Sequence, residues 1–284
     1  MMKIGILLVF QESTARPGPF AAEMERLGFE SLWVPEHPIL PVNPKTPFPQ
    51  GGAIPEIYSH MSDQFVCLSM AAATTTKLRL ATGITLVPEH NPIVHAKQVA
   101  TLDHFSGGRV TYGIGAGWLR EESEILGVDF PRRWTQTAEY IAAMRALWSQ
   151  PEASFEGKYV NFPAVRSYPK PVQQPGPPVL LGSKDKNALK RVAKWGDGWC
   201  PNGVDAAYMK ENVDKLKEEC RAIGRDFSKL DITCTGAIEG ERAQVREGLK
   251  KFADAGVGRF VVTAGDVTPA NYKARLERLT SLYL

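Results

Sequence analysis

Leu78-Arg-Leu-Ala-Thr-Gly-Ile-Thr-Leu-Val-Pro88, then Asn91-Pro92 through Ser106, then Arg109-Val-Thr-Tyr-Gly-Ile-Gly-Ala-Gly-Trp118 read as strand, helix, strand. The first segment alternates and is rich in β-branched residues, as a half-buried strand is. Asn91 suits an N-cap and Pro92 the first helical position. Val99, Leu102 and Phe105 are predicted on one apolar face, and Ser106-Gly107-Gly108 ends the helix. A helix between two apolar strands implies a parallel, right-handed βαβ unit. Both strands then point their carboxyl ends the same way, which brings Thr82-Gly83-Ile84 and Gly113 to Gly117 to one rim.

The same alternation runs outward through the chain. Strands are expected over 3–10, 29–34, 178–181, 196–200, 230–237 and 258–262, with helices between them. Together with the central pair this makes eight βα units in one domain spanning residues 1–284, which suits a (β/α)8 TIM barrel. A doubly wound open sheet is the alternative. Pro38 to Glu56 is rich in Pro and Gly and reads as a long loop after the second strand, of the kind that forms lids. Residues 151–177 hold alternating aromatics and several prolines, and read as a hairpin or irregular insertion.

The composition removes several classes. With 34 basic and 31 acidic side chains the net charge is +3, too mild to indicate nucleic acid, and no basic run carries interleaved aromatics. The longest apolar run near the start, Ile4 to Phe10, is too short to span a bilayer and lacks a convincing cleavage site. Cys67, Cys200, Cys220 and Cys234 have no paired metal spacing and no C-x-x-C, and are read as reduced thiols of a cytoplasmic protein.

In either fold the chemistry belongs at the carboxyl ends of the strands. Gly113, Gly115 and Gly117 are spaced by two, but Trp118 stands where a dinucleotide fingerprint would place its third Gly. They fit either a flat ring lying close to the backbone or a crowded barrel corner. Gly182-Ser183 follows a strand and precedes a helix, so its N–H groups could meet a phosphate, with Lys184 adding charge. Glu36 beside His37 could serve in acid/base chemistry, although neighbouring residues need not point the same way. Trp118, Trp134 and Trp199 read as packing residues, with Trp118 able to contribute at the rim as well. His90, His95 and His104 show no metal spacing with carboxylates.

Taken together, Leu27 to His37, Ala81 to Pro88 with Asn91-Pro92, Gly107 to Trp118, Phe130-Pro-Arg-Arg133 with Tyr140 to Trp148, and Gly196-Asp-Gly-Trp199 resemble the bacterial-luciferase-like superfamily, in its order and over most of the chain. Within it the chain is most similar to oxidoreductases that use the deazaflavin coenzyme F420. The resemblance implies a TIM barrel, usually a homodimer, with the cofactor ring across the carboxyl rim. It implies that Thr82, Gly83 and Ile84 form a bulge beneath the ring, with a cis peptide at Gly83–Ile84. It places Gly115, Ala116, Gly117 and Trp118 beside the cofactor, Gly182, Ser183 and Lys184 at its phosphate, and His37 with Glu36 at the reacting face. Some deazaflavin-dependent sugar-phosphate dehydrogenases carry a Glu proton donor at the position of Trp118. Its replacement argues against a sugar phosphate as substrate and leaves His37 as the acid/base candidate. The phosphate segment departs too, being Gly-Ser where Gly-Gly is common.

These readings imply hydride exchange between F420 and a small organic substrate, whose identity is set by Pro38–Glu56 and Tyr159–Tyr168. An FMN-dependent luciferase-like monooxygenase keeps the same barrel but uses a flavin able to activate oxygen. A non-catalytic flavin-binding protein would bind the cofactor and turn nothing over.

Overall fold

The computed structural model describes residues 2–284. The strands are β1 (Lys3–Leu7), β2 (Ser31–Val34), β3 (Arg79–Leu86), β4 (Val110–Gly115), β5 (Ala153–Glu156), β6 (Asn161–Val165), β7 (Val179–Leu181), β8 (Gly198–Trp199), β9 (Asp231–Gly236) and β10 (Arg259–Thr263). Eight of them close a barrel in the order β1-β2-β3-β4-β7-β8-β9-β10, and β10 pairs back onto β1 from Lys3↔Arg259 to Leu7↔Thr263. Every barrel pair is parallel. The remaining two, β5 and β6, form an antiparallel hairpin outside the barrel. The chain is therefore a (β/α)8 barrel, and the open sheet is excluded.

The surrounding helices are α1 (Pro17–Leu27), α2 (Gln64–Ala72), α3 (Pro92–Ser106), α4 (Arg120–Ile125), α5 (Arg133–Ser149), α6 (Ala188–Trp195), α7 (Ala206–Ala222), α8 (Arg242–Asp254) and α9 (Tyr272–Tyr283). The cap of α3 forms as its sequence requires: the Asn91 side chain accepts from Ile93 N–H at 3.0 Å and Val94 N–H at 3.2 Å, and Gly107 ends the helix at φ 72°. Its buried stripe differs from the expected one. Val99 and Leu102 are buried, but Phe105 is 79% exposed and lies with Val66 and Met70 on an outer apolar strip along α2 and α3. A residue six positions from Val99 has rotated well off its face of a 3.6-residue helix.

Trp33, Ala81, Leu180, Cys200 and Val261 fill the barrel interior, with Leu7 and Ile84 packed against them. Below this plug the amino ends of the strands are closed by Arg259. Its guanidinium reaches Glu30 at 2.8 and 2.9 Å, Asp231 at 2.6 Å and the Thr233 hydroxyl at 2.9 Å. Burial works against this charge, but the two carboxylates outweigh it and hold the guanidinium protonated. Arg109 ties the central unit together by donating to the carbonyls of Ala72, Thr75, Leu78 and Ser106. The four cysteines are free and buried. No helix among the described residues is long and apolar enough to cross a membrane.

Candidate active site

The carboxyl rim is built around a break in β3. Pairing with β4 shifts register between Thr82 and Thr85, and the Gly83–Ile84 peptide within the break is cis. Thr82 fixes the bulge by donating its hydroxyl to Gly113 O at 2.6 Å. A Cβ on Gly113 would stand 2.2 Å from Thr82 O, and one on Gly115 would stand 2.3 Å from Ile84 Cδ1. These two glycines make room for the bulge, so the crowded-corner reading accounts for them. Gly117 has a different reason, a left-handed φ of 80°.

Above the bulge lies a cavity of about 260 Å³ in the barrel mouth. Its wall includes Gly83, Ile84, Gly182, Gly203 and Gly236, with Trp33 and Cys200 toward the plug. A Cβ on Gly182 would sit 2.8 Å from Ile84 Cγ2, so no side chain can grow there without displacing that of Ile84. Thr82, Gly115 and Ala116 are buried behind the wall, and Lys184 Nζ donates to Asn202 O at 2.9 Å just outside it.

Glu36 and His37 diverge, as successive residues of an extended segment do. Glu36 accepts from Leu86 N–H at 2.5 Å and meets His90 Nε2 at 2.9 Å, tying the end of β2 to the end of β3. His37 instead meets Glu122 of α4, with Nδ1 2.6 Å from Oε2. Trp118 Nε1–H lies 3.2 Å from His37 Nε2. Indole only donates, so Nε2 is the acceptor and Nδ1 carries the hydrogen given to Glu122. The expected Glu36–His37 pair is thus replaced by Glu122–His37. The sequence signal for Glu122 was slight: a carboxylate four residues after Trp118, on a six-residue helix with no apolar stripe.

The segment after β2 covers this histidine. Phe48, Tyr58 and Trp118 pack edge-on around one another, and Tyr58 and Trp118 bring their ring centroids to 5.0 and 5.8 Å from His37. His37 is left only 8% exposed. Glu121 clasps the same segment by accepting from Lys45 N–H at 2.7 Å, Thr46 N–H at 3.1 Å and the Thr46 hydroxyl at 2.7 Å. The Thr46 hydroxyl leads the interactions that hold its carboxyl down to about 2.

A third carboxylate, Glu89, accepts from the Ser123 hydroxyl at 2.7 Å, and its Oε2 is buried without a partner. Burial, with Glu122 and Glu36 nearby, pushes it up to about 8. His90 stacks on His95 at 4.2 Å. Burial opposes charge on His90, but Glu36 outweighs it and the pKa rises. Burial and then His90 push His95 down to about 3, so it is neutral. These side chains offer no metal site, since no group of three or more His, Cys, Asp or Glu among the described residues could hold an ion.

Two expected contacts change. The helix after Gly182-Ser183 begins only at Ala188, and the intervening Asp185 bonds the Ser183 hydroxyl at 2.7 Å, Asn187 N–H at 2.8 Å and Arg191 at 2.7 Å. Gly182 N–H is spent on Ile114 O at 2.7 Å. A carboxylate therefore occupies much of the turn expected to greet a phosphate. Tyr159–Tyr168 does not border the mouth. Its hairpin lies outside α5, where Glu139 accepts from Tyr159 N–H at 2.5 Å and Val160 N–H at 2.9 Å. Beyond it Lys97 of α3 donates to Tyr168 O.

The carboxyl end of the barrel thus carries two features, the cavity over the Gly83–Ile84 bulge and, outside that cavity's lining, the His37–Glu122 pair beneath the segment after β2. The family model "Luciferase-like monooxygenase" matches residues 2–278, and the chain belongs to that family. An uncharacterised protein of Mycobacterium tuberculosis is 37% identical over 291 residues, covering 99% of this chain and 98% of the relative. The FMNH(2)-dependent dimethylsulfone monooxygenase of Pseudomonas putida is 30% identical over 69% of this chain and 56% of its own length. The F420-dependent glucose-6-phosphate dehydrogenase of Kineococcus radiotolerans is 29% identical over 75% of this chain and 60% of its own length. Among solved structures, the coenzyme F420-dependent tetrahydromethanopterin reductase from Methanopyrus kandleri shares the fold at TM-score 0.78 and 18% identity, over 99% of this chain and 98% of that one. Members of this family are oxidoreductases or monooxygenases.

Proposed function

We propose that this protein is an F420-dependent oxidoreductase that moves hydride between the deazaflavin and a small, non-phosphorylated organic substrate. The observation that carries the reading is His37: buried between Tyr58 and Trp118 and single in tautomer, with Nε2 as an acceptor nitrogen able to exchange a proton with a substrate hydroxyl or carbonyl. The residues present fit a planar ring, because four glycines, Gly83, Gly182, Gly203 and Gly236, leave the mouth wall free of side chains there, and Gly182 cannot carry one without displacing Ile84. When bound, the cofactor supplies the hydride chemistry. The chain's part is to seat the ring on Gly83–Ile84, shed water beneath Phe48 and Tyr58, and hold or accept a proton at His37 Nε2. For that last step Trp118 N–H must give way to the substrate.

Asp185 beside Ser183 disfavours a tightly gripped phosphate, and the Glu122 carboxylate against His37, with Glu36 on the adjoining residue, disfavours an anionic substrate. The FMNH(2)-dependent relative favours a second reading, an FMN-dependent monooxygenase. Titrating the apoprotein with F420 and with FMN separates the two. Tighter binding of F420, followed by its oxidation or reduction with a small alcohol or carbonyl compound, is expected; binding of FMN alone would overturn the proposal. We also propose a cytoplasmic homodimer. Support for the assembly comes from the exposed apolar strip of Val66, Met70 and Phe105. Light scattering of Phe105→Glu should report monomer where the unaltered protein reports dimer.

A further inference from the structure

We propose that Glu122 is the positioning residue of His37, and that its neighbour Glu121 independently latches the covering segment, so that one short helix, α4, serves both tasks. The inference rests on the reading of His37 given above. Free imidazole exchanges freely between tautomers; in the fold one partner decides which nitrogen is protonated. Glu122 supplies that partner at 2.6 Å and is fully buried, so its carboxylate has few other places to turn. Its second oxygen lies 3.4 Å from Ile39 N–H, two residues past His37, which pins the backbone at the start of the lid. Glu121 points outward from the same turn of helix and holds Lys45 and Thr46. Two consecutive carboxylates thus grip two points of one loop. When Lys45 and Thr46 leave Glu121, α4 loses its outer tether, and the His37–Glu122 bond is the inner one that remains.

With Nδ1 committed to Glu122, the proton moved in catalysis enters or leaves at Nε2, the nitrogen facing Trp118. The carboxylate also stabilises the imidazolium that forms when Nε2 accepts a proton, so no proton needs to pass to Glu122 itself.

The test reads the imidazole directly. Long-range ¹H–¹⁵N spectra of the cofactor-free protein, with the His37 signals identified by their loss in His37→Gln, should show the Nδ1–H tautomer. Glu122→Ala should populate the Nε2–H form, whereas Glu122→Gln, whose amide oxygen can still accept, should retain Nδ1–H. With F420 and a substrate, Glu122→Gln should lower kcat about 10-fold with little change in KM, because only the charge facing the imidazolium is lost. Glu121→Ala should leave the tautomer intact and speed amide exchange at Lys45 and Thr46 about 10-fold. Retention of Nδ1–H in Glu122→Ala overturns the positioning role. If that variant does not fold, an unchanged kcat in Glu122→Gln overturns it instead. Unchanged exchange in Glu121→Ala overturns the latch. A protein that ignores F420 yet shows the tautomer switch would break the functional proposal while leaving the His37–Glu122 assignment standing.

Discussion

The two ends of the barrel handle buried charge in opposite ways. At the amino ends of the strands, Arg259 is matched by Glu30 and Asp231 in short, direct ion pairs. At the carboxyl ends, Glu36, Glu89 and Glu122 gather around histidines, and one Glu89 oxygen has no partner at all. The lower cluster is saturated and can only be broken. The upper one has acceptors to spare and protonation states that shift within the ordinary pH range, the usual condition of a working site.

The largest effect that would test this contrast is at the lower end. Arg259→Met should remove about 3 kcal/mol of stability in urea unfolding, because Glu30 and Asp231 lose their countercharge, while their partial exposure softens the loss. His37→Ala should behave in the reverse manner, lowering kcat with F420 about 10²-fold while the unfolding midpoint barely moves. If both variants lose stability equally, the distinction between the ends fails.

A subtler test uses pH. Glu89 is raised to about 8 in the fold against 4.5 for the ordinary side chain. Between those values the folded chain holds a proton that the unfolded chain releases, so this group's contribution to stability falls as pH rises. His90, also raised, acts in the same direction above 6.5. His95, lowered to about 3, acts in the opposite direction, but only between 3 and 6.5. From pH 6.5 to 8 the unaltered protein should therefore lose stability, and Glu89→Gln should flatten that slope in urea midpoints measured at the two pH values. The smallest expected change is Asn91→Ala, which removes the cap of α3 for about 1 kcal/mol and should leave kcat within about twofold.

Legibility in the sequence follows the same division. The barrel could be read because its signals are local: alternation in Leu78–Pro88, the cap at Asn91-Pro92, and glycine stops. The bulge at Gly83–Ile84 and Gly182 of the mouth wall lie in contiguous motifs, whereas Gly203 and Gly236 of the same wall stand alone in the sequence and carry no such signal. His37 was visible as a polar residue ending an apolar strand, but its partner was not. Glu122 lies 85 residues away on a helix of six, too short for periodicity to register and wholly polar apart from Ile125. Neighbours in sequence suggested Glu36 instead, and the pleat turned that carboxylate toward His90. At the turn expected to meet a phosphate, the motif Gly182-Ser183-Lys184 says nothing of the next residue's direction, and the structure turns Asp185 onto the Ser183 hydroxyl and Asn187 N–H. Phe105 was assigned inward by helical spacing, which cannot tell a second apolar face from the core.

The glycines beneath the mouth also set limits on redesign. At 113, 115 and 182 any β-carbon would collide with the bulge or with Ile84. A library aimed at altering what the protein accepts should leave those three codons untouched and diversify Pro38 to Tyr58. There, side chains approach the histidine from above and carry no part of the cylinder's frame.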